Sequence, residues 1–285
     1  MRLPNGARMR RLIAFLLFSR LLFSTDYATV NIQGQLANQL FQTAAVIAYA
    51  RDHGCEARFP TLKSAINAPL NIRYVFHRLD LSPIPEGTKF ERFNEPAPDA
   101  YCDLPYEPGK NICFQGYFPS VKYFSHHSDY IRELFSPTQD LIDRIYEKYE
   151  EVLLQQTVAV HVRTFFPDSI DPNGGIGRTN WTYFINAMEC FPDHYTFLVF
   201  SDRPDWVIDH FPRIKKNIHF IQGNPHYFDF YFMSLCNHFV LGPKSTFSWW
   251  AAWLNPDPDK TVIRPDDHWL PDDAFPSPWR KIKID

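Results

Sequence analysis

The sequence predicts an α/β protein built from two Rossmann-like halves, and three observations carry that expectation. Residues 157–162, 195–200 and 239–242 are short apolar runs, β-branched or aromatic, that read as buried parallel strands. Residues 28–54 read as strand, turn and helix, the βα unit that opens such a half. Residues 139–154 carry Leu141, Ile145, Tyr149 and Val152 on one helical face and charges on the other. That helix leads into the strand at Thr157 and puts the boundary between halves near Gln155.

Composition narrows the function. A chain of 285 residues has room for two ordinary domains or one large one, and 45% apolar with 16% aromatic residues supports a large core rather than disorder. A net charge of −3 argues against a nucleic-acid partner held by general phosphate attraction. The five cysteines, Cys55, Cys102, Cys113, Cys190 and Cys236, are odd in number and widely spaced, with no C-x-x-C pair or zinc-type spacing. Buried free thiols in a reducing compartment are expected, with neither a disulfide framework nor a metal-ligand set.

Residues 1–26 stand apart. Arg2, Arg8, Arg10 and Arg11 precede an apolar stretch interrupted by Arg20, too short and too charged for a membrane span. It has a basic start like a signal peptide but lacks a clear cleavage site. Two readings stay level: a basic amphipathic segment making peripheral membrane contact through residues 1–23, or a start assigned too early, with the fold beginning near Tyr27. The expected location is accordingly cytoplasmic or membrane-associated.

Residues 27–155 form the first half. After the strand at 28–32, Gly34 breaks the chain, and Leu36, Leu40, Ala44, Ile47 and Ala48 recur at helical spacing up to a C-capping Gly54. Asn38 and Gln39 sit at the mouth of that turn, where side-chain amides suit sugar hydroxyls, although Asn38 as a helix cap explains the pattern equally well. Residues 83–109 hold six prolines and read as a long irregular excursion anchored by Phe90, Phe93, Tyr101 and Tyr106. A strand at 113–118 and two short helices at 120–124 and 128–135 follow.

Residues 156–285 form the second half. The strand at Thr157 ends in His161 and Arg163, at the edge where open α/β sheets bind ligands. A guanidinium there suits phosphate oxygens, because its planar fork donates two charge-assisted bonds and stays protonated. A surface ion pair, or a core histidine closing a strand, is the competing reading. The strand at 195–200 likewise ends in Ser201 and Asp202. Residues 167–175 form a loop of turn formers, placed to cover the strand ends. The strand at 239–242 runs through a tight turn into the aromatic helix FSWWAAWL. Hydroxyls, free N–H groups and the positive dipole end at its start make a phosphate receptor, while an ordinary capped core helix would look the same. Asn180-Trp181-Thr182 is a glycosylation acceptor only in a secreted chain.

Five segments in order resemble glycosyltransferase family 11, the α-1,2-fucosyltransferases: GQLANQLFQ from Gly34, GYFPSVKYF from Gly116, VHVR from Val160, FSD at Phe200 with Trp206, and DFYFMSLCNHFVLGPKSTFSWWAAWL from Asp229. The resemblance implies a GT-B-like arrangement, two Rossmann-like halves facing a cleft, with an acceptor side in residues 27–155 and a GDP-sugar side in 156–285. It implies inverting transfer of L-fucose from GDP-fucose to the 2-hydroxyl of a galactose-terminated glycan, without a metal or other cofactor. Carried over, Arg163 neutralises the β-phosphate of the departing GDP and His161 sits beside the nucleotide. Ser245, Thr246 and Ser248 serve the phosphates, with Asp202, Phe247, Gly34, Asn38 and Gln39 completing the donor site. Asp168 is the candidate base for the acceptor hydroxyl, with Asp171 an alternative.

The chain also departs from the pattern. The second arginine of the family's V-H-x-R-R-G-D is Thr164, its Gly-Asp is Phe165-Phe166, Ala37 stands at a glycine position, and Asn-Ser-Ser has become Lys244-Ser245-Thr246. Lys244 restores a charge as a point rather than a fork, and Asp168 stands in for the missing aspartate. These changes keep two alternatives open: a different nucleotide sugar, or a non-catalytic binding relative.

Overall fold

The structure, a computed structural model, describes residues 26–97, 100–164, 179–266 and 270–284. The basic and apolar N-terminal segment, the 167–175 loop, Asp168 and Asp171 lie outside the described residues. Among those described, no helix is long and apolar enough to cross a membrane.

Strand β1 (Tyr27–Val30) leads into α1 (Leu36–His53), whose C-cap is Gly54 at φ 68°, a left-handed conformation that glycine adopts without a Cβ clash. Then come β2 (Glu56–Ala57), α2 (Ala68–Tyr74), β3 (Phe90–Asn94) and β4 (Asn111–Gln115). Helices α3 (Ser128–Leu134) and α4 (Gln139–Leu153) connect to β5 (Thr157–Val162), and α5 (Trp181–Met188), β6 (Thr196–Ser201), α6 (Pro204–His210) and β7 (Asn217–Phe220) follow. The chain continues through α7 (His226–Ser234), β8 (His238–Val240), α8 (Thr246–Leu254), β9 (Val262–Asp266) and β10 (Arg280–Lys283).

Among the described residues these strands make two all-parallel sheets, ordered β2-β1-β4-β3 and β10-β9-β8-β5-β6-β7. Strand β5 is central in its sheet and all six of its residues are buried, as its unbroken apolar run requires. Four strands escape the sequence reading, the first of them β2, only two residues long. Strand β3 lies inside the excursion expected to be irregular; it is an edge strand, FERFN, without an alternating apolar face. Strands β9 and β10 lie in the proline-rich tail, where Pro265 follows the last β8 pairing, Val240 with Ile263, and so interrupts no bond to β8.

The core does not stop at the boundary between sheets. Phe41 of α1 meets Trp249 and Trp250 of α8 at ring-centroid distances of 4.7 and 5.1 Å, and Phe124 stacks on Trp250 at 5.2 Å. The tryptophans of α8 therefore brace it against the first half. Tyr149 of α4 stacks on Phe232 of α7 at 4.2 Å. All five cysteines are free, but only Cys236 is fully buried.

Candidate functional site

A cleft of about 440 Å³ opens at the carboxyl ends of β5 and β6 and is closed on its far side by the start of α1. From the second half it takes His161, Arg163, Asp202, Lys244, Ser245, Thr246 and Phe247, and from the first half Asn38 with its neighbours in the first turn of α1. Seven of the side chains expected at a donor site thus converge, from segments more than a hundred residues apart in sequence.

Arg163 lies just beyond β5 and pairs with Asp202, Nη1 to Oδ2 at 3.1 Å. The other oxygen of that carboxylate accepts the Thr164 N–H at 2.9 Å, so Asp202 ties the end of β5 to the end of β6 and aims the guanidinium. Thr164, where the family pattern has its second arginine, is buried and does not line the cleft.

His161 is only 4% exposed, and its Nδ1 lies 2.9 Å from Ser245 Oγ. Burial, helped by the Arg163 charge and opposed by Asp202, pushes its pKa down to about 4, so the ring is neutral at physiological pH. Ser245 Oγ also accepts the Ser248 N–H at 3.3 Å. With the serine hydrogen given to Nδ1, the imidazole proton sits on Nε2, where it is available as a donor.

Ser245 is the N-cap of α8, so the helix is capped in the ordinary way and also presents its positive end to the cleft. Ahead of it, Lys244 holds φ 53°, left-handed and unusual for a residue with a side chain. Gly242 explains why the turn is built tightly. A Cβ there would stand 2.5 Å from the His161 carbonyl oxygen and 3.2 Å from Nδ1. The Gly242→Ala protein is therefore expected to lose about 1–3 kcal/mol of stability and to displace His161 and Arg163 together. Urea unfolding alongside nucleotide titration checks this; unchanged values for both would show that β5 yields without cost.

Three expected site residues have other duties. Gln39 is fully buried: its Nε2 donates to the Gly34 and Ile66 carbonyls, and its Oε1 accepts from Asn71 at 2.9 Å. Asn71 in turn meets His226 Nε2 at 2.8 Å, so this amide helps join the two halves. Gly34, at φ 78°, closes the turn before α1 and does not line the cleft. Ser248 is buried and accepts the Gly242 N–H at 3.2 Å, holding the tight turn. Asn38 is not the helix cap, which is Gln35; its Oδ1 accepts from Thr246 Oγ1 at 3.1 Å across the cleft. Asn180 caps α5 by accepting the Tyr183 N–H.

Asp229 and His226, both on α7, also line the cleft and were not singled out by sequence. Burial raises the Asp229 pKa to about 6, against the opposing pull of the Asn224 amide and Lys148. The signal was present in the sequence: Asp229 is the one carboxylate of a helix that otherwise reads HYF-FYFMS.

The profile of glycosyl transferase family 11 matches residues 7–283. The chain belongs to glycosyl transferase family 11. An Escherichia coli alpha-1,2-colitosyltransferase is 27% identical over 151 residues, 50% of this chain and 51% of that protein. The O-antigen biosynthesis glycosyltransferase WbnK of the same species is 26% identical over 193 residues, 64% of this chain and 61% of WbnK. The chain thus spans between half and two thirds of the length of these two relatives. The galactoside alpha-(1,2)-fucosyltransferase 2 of Gorilla gorilla gorilla is 27% identical over 266 residues, 87% of this chain and 74% of that enzyme. Among solved structures, the fucosyltransferase NodZ from Bradyrhizobium aligns with a TM-score of 0.54 at 14% identity, covering 82% of this chain and 94% of NodZ. The fold likeness agrees with the GT-B-like arrangement of two parallel-sheet halves facing a cleft.

Proposed function

We propose that this family 11 protein is an inverting galactoside α-1,2-fucosyltransferase that uses GDP-fucose. The observation that carries the reading is the convergence of the Arg163 guanidinium, Lys244 and the N-terminus of α8 on one cleft of about 440 Å³. Three positive elements around one pocket suit a diphosphate leaving group. Related proteins support the choice of sugar: NodZ structures are described as co-crystallized with GDP and soaked with GDP-fucose, and the gorilla relative is named for α-(1,2)-fucosyl transfer to galactosides.

In this reading the acceptor 2-hydroxyl oxygen attacks C1 of fucose on the face opposite the diphosphate. The bond from C1 to the β-phosphate oxygen breaks, its electron pair leaves with GDP, and the configuration at C1 inverts. Arg163, Lys244 and the α8 N–H groups stabilise the charge that develops on the phosphate, which gives the reaction a route without a metal. The hydroxyl proton passes to a carboxylate, for which Asp168 is our choice. Asp229, which also lines the cleft, offers two carboxylate oxygens that match the adjacent N1–H and 2-amino donors of guanine, a pattern that adenine lacks.

One observation favours a second donor. The similarity to a colitosyltransferase, together with the changed residues after Arg163, makes a GDP-linked dideoxy sugar the rival substrate. Full-length protein incubated with GDP-fucose or GDP-colitose and a methyl β-galactoside tests both readings, with GDP release and NMR of the product linkage as readouts. Transfer of fucose to O2, undiminished by EDTA, is the expected result. Preferred transfer of colitose would move the assignment to the second donor. No calorimetric binding of GDP would sink both.

A further inference from the structure

We propose that Asp52, His126 and His127 form a binding site for a divalent transition-metal ion of the zinc class, separate from the sugar-nucleotide cleft. Asp52 lies in the last turn of α1, and the two histidines are consecutive on a 3₁₀ turn, Ser125–His127, that leads directly into α3. His126 Nε2 stands 2.8 Å from one oxygen of Asp52, and His127 Nε2 stands 2.7 Å from the other. One ligand atom from each residue falls within a sphere where all are less than 4.8 Å apart. Two imidazole nitrogens and a carboxylate oxygen are a common zinc donor set, with bonds of about 2.0–2.2 Å. Tetrahedral ligands at that radius lie roughly 3.3 Å from one another, so rotation of partly exposed side chains, without backbone movement, brings all three onto one ion.

The surroundings favour this arrangement. The donors rest on a helix end and a short turn, not on a long loop, so little order is lost on binding. The side chains of His126 and Asp52 are 46% and 38% exposed, which leaves an entry path and a fourth position for water. Arg51, beside Asp52 in sequence, is engaged with an aromatic ring: its guanidinium lies 3.9 Å over the Tyr130 ring. None of the three residues lines the cleft, and Asp52 is roughly 21 Å along the axis of α1 from Asn38 at 1.5 Å per residue. An ion here would clip α1 to a segment 75 positions later in the chain and stabilise the first half. The same contacts without an ion are two histidine–aspartate hydrogen bonds, and the experiment separates the two states.

Full-length protein is titrated calorimetrically at pH 7.5 with ZnCl2, and separately with MgCl2. We expect one zinc per chain at micromolar affinity and no magnesium, because two imidazoles do not suit a hard cation. Asp52→Asn should weaken zinc at least tenfold, and the His126→Gln/His127→Gln double variant should abolish it while keeping wild-type GDP affinity, which shows that it folds. Zinc at a hundredfold excess over its Kd should raise the Tm of the wild type by about 5 °C and leave the double variant unmoved. The absence of zinc binding overturns the proposal, as does equal binding by the double variant, since the chain has 11 histidines that offer other sites.

Discussion

Arg163→Ala is expected to reduce kcat for sugar transfer about 100- to 1,000-fold with little loss of stability. The size of the effect follows from where the charge appears. As the sugar leaves, negative charge grows on the β-phosphate, and a guanidinium already held in place by Asp202 stabilises that state more than the bound sugar nucleotide. Removing one such donor costs about 2.7–4 kcal/mol of transition-state stabilisation. The fold should survive because the other duty at this strand end does not need arginine: Asp202 keeps the Thr164 N–H and still joins β5 to β6. Arg163→Lys should fall between, since an ammonium keeps the charge but loses the planar fork and its fit to Asp202. Steady-state kinetics of the three proteins, with thermal melting as a control, decides the matter. An alanine variant that retains more than a third of wild-type kcat would remove Arg163 from the reaction and leave Lys244 and the helix end as the phosphate site.

The parts of this site that the sequence disclosed are those where a local pattern and the tertiary role coincide. In β5 an apolar run must be buried, so the polar residues at its end, His161 and Arg163, had to emerge at a sheet edge; the same logic found Asp202. Ser245 and Thr246 were visible as a helix start after a turn. Gln39 shows the limit. Its position suggested a sugar ligand, yet its partners Ile66 and Asn71 lie 27 and 32 residues away, and no local pattern reveals that they fold back over α1. Strands β3 and β10 escaped because exposed edge strands need no alternating apolar face. Asp229 escaped because its importance comes from burial in the assembled cleft, a property of packing between α7 and both halves.

That burial leads to a second large effect, one in which stability and function move in opposite directions. A carboxylate held near pKa 6 against an ordinary 3.8 is destabilised in its ionised form by its surroundings. The difference amounts to about 3 kcal/mol at pH 7.5, an upper bound that Asp229→Asn should recover in part as increased stability, about 1–3 kcal/mol. The pH dependence tests the cause. Between pH 3.8 and 6 the folded state holds a proton on Asp229 that the unfolded state lacks, so this group favours folding at low pH and loses that contribution as pH rises through 6. His161 acts with the reverse sign: between about 4 and 6.5 the unfolded state is the protonated one, so acidification through that window removes stability. In the wild type the two largely cancel between pH 4 and 6. In Asp229→Asn only the histidine remains, so the variant's advantage should hold from pH 7.5 down to about 6, then shrink and vanish near pH 4. Urea unfolding at pH 7.5, 6 and 4.5 reads this directly; an advantage that did not change with pH would show that asparagine stabilises by packing rather than by removing a buried charge. The natural residue persists at that thermodynamic cost because, in the proposed reading, ionised Asp229 accepts the two guanine N–H groups. The more stable variant should accordingly bind GDP at least tenfold more weakly at pH 7.5, and wild-type affinity should decline toward that of the variant as pH falls below 6.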